Sequence, residues 1–204
     1  MNIEKYWLLL FLIFATTSCE GQSNINSPTN NSATSGSSLV KSKFESKEGG
    51  FKINFPCEPM KSEKQIDSDF GNTTIYFLDC GNETANYSVS FRDFTKKITN
   101  PKEVFVREKQ MRIMGLEESV KIVSDIEKTV NGFPAVYFET ELNAGDVLPK
   151  SGLNSELHSI KGQRHYSVNV IVMCKKGQTP QDISKELKDK TKEFIDSFEI
   201  FENK

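Results

Sequence analysis

Asn131-Gly132 lies between two runs in which apolar and polar residues alternate, and it restricts the fold of this chain more sharply than any other short feature. A two-residue hairpin turn matches the twist of its strands when both central residues take a positive φ, which asparagine and glycine tolerate best. With these residues at the turn, Val130 faces Phe133 and Ile126 faces Tyr137, so apolar meets apolar across the ladder. The same alternation recurs along the chain. Phe51, Ile53 and Phe55 point one way, with Lys52 and Asn54 between them, until Pro56 ends the run. A polar segment from Met60 to Asp67 meets the turn signal Asp69-Phe70-Gly71-Asn72 and returns as Thr73 to Cys80. Gly81-Asn82-Glu83 turns again into Tyr87, Val89 and Phe91, which makes a meander of antiparallel strands. A third hairpin is expected to turn near Lys161-Gly162, joining Leu153–Ile160 to the run Tyr166, Val168, Val170 and Val172.

Helical signals fall between and after these strands. Thr179 suits an N-cap, Pro180 the first helical position and Asp182 the acid of a capping box. Ile183, Leu187, Phe194 and Phe198 then follow helical spacing, which predicts one helix from Pro180 onward. Pro101 to Met114 is a second helical segment that Gly115 can close, although its apolar residues are spread around the axis. Strands in pairs with helices between and after them predict an α+β domain: an antiparallel sheet, meander plus hairpins, with helices packed on its faces.

The N-terminus reads as an address. Lys5 precedes an apolar run from Tyr6 to Ala15, and Thr16, Thr17 and Ser18 lead into Cys19. The run is about half the ~20 residues that a membrane-spanning helix needs and matches the h-region of a secretory signal. Residues 1–18 are therefore expected to be a bacterial lipoprotein signal peptide with Cys19 as the lipid-attachment residue. Such signals usually carry Leu three positions before the cysteine, where this sequence has Thr16. From Glu20 to about Ser38 the chain is dominated by Ser, Asn, Thr and Gly and cannot bury enough surface to offset its ordering entropy. We expect residues 19–40 to form a disordered tether and 41–204 a single domain, exported and lipid-anchored to the bacterial cell membrane or outer membrane. Lys plus Arg number 26 against 28 Asp plus Glu, interleaved along the chain, which argues against nucleic acid as a partner.

A series of short motifs resembles the PsbP-like superfamily, named after an extrinsic subunit of the oxygen-evolving photosystem and shared by a Ran-binding nuclear import factor. The series is Gly50-Phe51-Lys52-Ile53-Asn54-Phe55-Pro56, Tyr87-Ser88-Val89-Ser90-Phe91, Asn131-Gly132-Phe133-Pro134-Ala135 and Phe194-Ile195-Asp196-Ser197-Phe198. It covers most of Gly49 to Glu202 in order. The resemblance implies the PsbP-like fold and an accessory or binding role, with no shared catalytic residues to carry over. Where bacterial relatives usually place Gly after the first Phe-Pro, this chain has Cys57.

With Cys19 taken by lipid, Cys57, Cys80 and Cys174 remain for an oxidising compartment. A turn centred near Phe70 sets Met60 opposite Cys80, with Cys57 close enough to bridge if the strand entry curls. Cys57–Cys80 is the favoured pairing, and pairings of Cys174 or free thiols are the alternatives. Cys174 shares the inward face of Tyr166, Val168, Val170 and Val172, where a thiol behaves as a small hydrophobe.

His158 and His165 fall on one face, directly opposite each other if Lys161-Gly162 is the turn, and are the weak candidates for a metal. Glu156 is the nearest further ligand but is assigned to the alternate face, and Ser167 and Asn169 make the histidine face read as solvent. These residues are therefore expected to be exposed polar groups, with no metal and no cofactor. No Gly-x-Ser-x-Gly elbow, His-Glu-x-x-His helix or phosphate-binding glycine loop is present. The expected function is a membrane-anchored, non-catalytic accessory or binding module of the cell envelope. Its expected partners are the membrane, through the N-terminal lipid, and an envelope protein. A small-ligand or lipid carrier and a metal-dependent envelope hydrolase are the alternatives.

Overall fold

A computed structural model describes residues 42–67, 71–114, 116, 118–145 and 148–201. The signal peptide, Cys19, the tether, Gly115 and the tip of the first hairpin at Phe70 lie outside the described residues. Residues 41–204 form a compact unit by themselves.

The frame is a seven-stranded antiparallel sheet in the order β3-β4-β5-β9-β8-β7-β6. Its members are β3 (Met60–Ile66), β4 (Thr73–Gly81), β5 (Ala85–Asp93), β6 (Val120–Val130), β7 (Phe133–Leu142), β8 (Gly152–Lys161) and β9 (Arg164–Met173). A three-stranded sheet, β1-β2-β10, is built from Ser42–Ser46, Phe51–Phe55 and Glu199–Ile200. Helix α1 spans Pro101–Ile113 and helix α2 spans Lys185–Asp196. This is the predicted α+β arrangement, with helices on the faces of an antiparallel sheet.

The alternating residues decide what each face meets. Tyr87, Val89, Phe91, Tyr166, Val168, Val170 and Val172 turn toward Phe51, Ile53 and Phe55 of β2 and Phe194, Ile195 and Phe198 of the C-terminal segment. Aromatic edges mesh there: Phe51 lies 5.9 Å from Phe91, and Tyr87 lies 5.1 Å from Phe194. The hydroxyl of Tyr166 donates to the carbonyl of Gly49 at 2.9 Å. A Cβ on Gly49 would sit 2.5 Å from the Phe51 ring, so the entry to β2 leaves no room for a side chain at Gly49. On the opposite face of the large sheet, Phe94, Val136, Phe138 and Ile160 form a smaller apolar cluster with Val104 and Phe105 of α1.

Turn chemistry behaves as its residues dictate, with two shifts of register. Asn131 and Gly132 take φ of 49° and 84°, and Val130 pairs with Phe133 and Ile126 with Tyr137. The third hairpin turns at Gly162-Gln163 rather than Lys161-Gly162, because Lys161 is paired with Arg164. In the first hairpin Met60 pairs with Asp79, one residue short of the expected Cys80. Cys57 and Cys80 are nonetheless bridged, with Cα atoms 5.8 Å apart, and Cys174 is buried and free.

The expected C-terminal helix divides in two. Asp182 accepts from the N–H and hydroxyl of Thr179 and closes a short 3-10 turn over Pro180–Asp182. Ile183 then becomes extended, and Ser184 caps α2 by accepting from the N–H of Leu187 at 3.3 Å. Two capping residues compete within a few positions, and the chain uses both because the break lets Ile183 and Leu187 pack on the main core.

Candidate functional site

Helix α1 is held over the sheet by charge as much as by grease. Asn100 caps it, accepting from the N–H of Lys102 at 3.1 Å, and only Val104 and Phe105 among its described residues are buried. This explains why its sequence shows no apolar stripe: much of the face it presents to the sheet is polar. Glu108 pairs with Arg92 of β5, Arg112 with Glu156 of β8 at 3.1 Å, Lys109 with Asp125 and Lys102 with Glu127 of β6.

Under the C-terminal half of α1 the sheet contributes Asn154, Glu156, His158, His165 and Asn169, all buried. The strand period places Asn154, Glu156 and His158 on one face, since residues two apart point the same way. The assignment of Glu156 to the alternate face is thereby corrected: its carboxylate lies 2.9 Å from Nε2 of His158. The turn shift moves His158 opposite Ser167 and His165 opposite Ile160, so the histidines are diagonal neighbours rather than a direct pair. Nδ1 of His158 and Nε2 of His165 are 3.0 Å apart.

The expectation that this face is solvated is also overturned. His158 is 0% and His165 4% exposed, because α1 and the two phenylalanines that flank them cover the rings. Phe138 stacks on His158 at 5.1 Å, His158 on His165 at 5.2 Å and His165 on Phe94 at 5.9 Å, all near parallel. The guanidinium of Arg92 sits over Phe94, 4.7 Å from the ring centre. Beyond Glu156, the amide of Asn154 donates to its second oxygen at 2.6 Å, and Asn169 donates to Asn154 at 2.7 Å.

This environment polarises the titrating groups in opposite senses. Burial by itself would raise the Glu156 carboxyl; the Arg112 charge and the bonds from His158 and Asn154 outweigh it and hold the group at about 2. An ionised Glu156 only accepts, so Nε2 of His158 carries a proton and donates it. Burial lowers His165 well below the ordinary histidine value, and the charges of Arg92 and Arg112 push the same way. Chemically the cluster can share a proton between two imidazoles or offer their lone pairs to a third group.

Sequence reasoning reached His158 and His165 but missed Arg92, Glu108, Arg112 and Asn154. Two signals were available. Polar residues at Asn154, Glu156 and His158 follow the strand period, and Glu108 and Arg112 stand one helical turn apart on a helix that lacks an apolar stripe.

No protein-family model matches the chain, and no curated protein matches it in sequence. Among solved structures it is similar to cyanobacterial PsbP (CyanoP) from Synechocystis sp. PCC 6803. The TM-score is 0.51 at 12% identity, over 83% of this chain and 98% of that one. A Bacteroides thetaiotaomicron structure has a TM-score of 0.40 at 15% identity, over 78% of this chain and 48% of that one. The immunity protein TplEi of Pseudomonas aeruginosa has a TM-score of 0.41 at 11% identity, over 65% and 46%. The chain thus has the PsbP-like α+β fold that its motif series implies. At this identity the likeness extends to the fold alone.

Proposed function

We propose that the protein is a membrane-anchored bacterial lipoprotein, exported and acylated at Cys19, whose folded domain is a non-catalytic accessory or binding module of the cell envelope. The observation that carries the export half is the Cys57–Cys80 disulfide, which belongs to an oxidising compartment and agrees with the signal pattern from Lys5 to Cys19. The accessory half is supported by the PsbP-like fold and by the motif series that implies it. Its partner is an envelope protein met at the membrane surface.

Growth with a clickable palmitate analogue tests the anchor. The wild-type chain should take up label and fractionate with membranes, and Cys19→Ala should lose both; label retained in that variant sinks the assignment. In-cell crosslinking with mass spectrometry tests the module. One reproducible envelope protein, lost when 41–204 is deleted but the tether kept, is the expected capture. Capture that depends only on the tether overturns the reading.

A further inference from the structure

His158, His165 and Glu108 converge in a way that the hydrogen-bond network does not use up. Their ligand atoms all lie within 4.8 Å of one another. We propose that these residues bind a divalent first-row transition cation of the zinc class, which clamps α1 to the large sheet.

Donor accounting supports the site. His158 commits Nε2–H to Glu156, so its Nδ1 lone pair faces Nε2 of His165. A carboxylate that holds the far nitrogen of a ligating histidine is the usual outer-shell partner of a metal site, and Arg112 and Asn154 in turn fix Glu156. Without a cation, Nε2–H of His165 donates into the Nδ1 lone pair of His158. With one, that proton moves to Nδ1 of His165, and both lone pairs meet the ion. At zinc–nitrogen distances of about 2.0 Å, the present separation subtends about 97°, and opening to about 3.3 Å makes it tetrahedral. Glu108 supplies an oxygen and completes a His2Glu set, a common zinc donor combination. Phe94 and Phe138 hold the two rings in near-parallel stacks. The Glu108 side chain is 19% and Arg112 29% exposed, which leaves a route in from solvent along the edge of α1.

Arg92 is the group that such a cation must displace from Glu108. Nε of Arg92 is buried and makes no hydrogen bond among the described residues, so the pair it forms with Glu108 is incompletely satisfied. Arg92 and Arg112 oppose a positive ion, whereas Glu108 and Glu156 favour it. Removing Arg92's charge should therefore tighten a cation and weaken an anion, which gives the test a sign.

The untagged full-length chain in detergent, titrated with cobalt(II) and with zinc under chelator competition, decides the matter. One equivalent should bind, with visible cobalt bands and a raised Tm. His165→Ala and Glu108→Gln should each weaken binding 100-fold or more, Glu156→Gln about 10–100-fold, and Arg92→Gln should strengthen it. Should His165→Ala fail to fold, Glu108→Gln and Arg92→Gln carry the test, since neither alters the buried stack of imidazoles. No binding by the folded wild type, or binding indifferent to Glu108→Gln and Arg92→Gln, overturns the proposal. Neither outcome touches acylation at Cys19 or partner capture, so the two readings fail separately.

Discussion

Asp79 is a carboxylate that burial makes uncomfortable, and it has a measurable signature. It sits in β4 with Met60 and Ser88 across from it, and desolvation pushes its pKa up to about 6. A carboxyl raised in the folded state stabilises fully below its unfolded value and loses that contribution as pH climbs through about 6. Asp79→Asn should therefore raise Tm at pH 7, worth roughly 1–3 kcal/mol, and the gain should vanish near pH 4; thermal melts across that range check it. Glu156 has the opposite sign. Its folded value of about 2 means that its contribution is present above the unfolded 4.5 and lost as pH falls toward 2. Arg112→Met leaves that buried carboxylate without its main counter-charge and should cost about 2–4 kcal/mol in urea denaturation at pH 7. A loss below half a kcal/mol would show that water reaches Glu156. His165, lowered by burial, adds acid lability: the unfolded chain takes up its proton below about pH 6.5 while the folded chain resists.

At the scale of elements, the hairpins and the helices teach different lessons. Asn131-Gly132 did what its chemistry demands, and Gly132→Val, placed at φ 84°, should destabilise the β6–β7 hairpin by about 1–2 kcal/mol. Equilibrium unfolding measures it, and an unchanged midpoint would mean that the turn relaxes. Helix α2 was legible from the spacing of Leu187 and Phe194, but its start was not, because Thr179 and Ser184 are both good caps and the chain uses both, breaking between them where Ile183 packs on the core. Helix α1 was legible as a helix and illegible as a partner. Its inward contacts include Glu108 and Arg112, residue types that ordinarily mark a wet face.

For the whole molecule, the Cys57–Cys80 bridge ties the entry of β3 to the end of β4 across a separation of 23 residues. Chain-entropy reasoning gives it roughly 3 kcal/mol. The double variant Cys57→Ala/Cys80→Ala should lose about that much, and reduction of the wild type should match it; a variant as stable as the oxidised protein would show that the clip adds nothing. Alternation, turn residues and cysteine spacing were enough to specify strand pairing within hairpins and the favoured disulfide, because each of these depends on neighbours close along the chain. The period of a strand also states which residues share a face. It does not state what lies over that face, and so His158 and His165 read as solvated. Only the tertiary structure laid α1 across them, replaced water with Arg92, Glu108 and Arg112, and turned a row of polar residues into a buried, charged cluster. That outcome depends on contacts between segments far apart in sequence: periodicity groups the residues of each segment on a face, and only packing brings the two faces together.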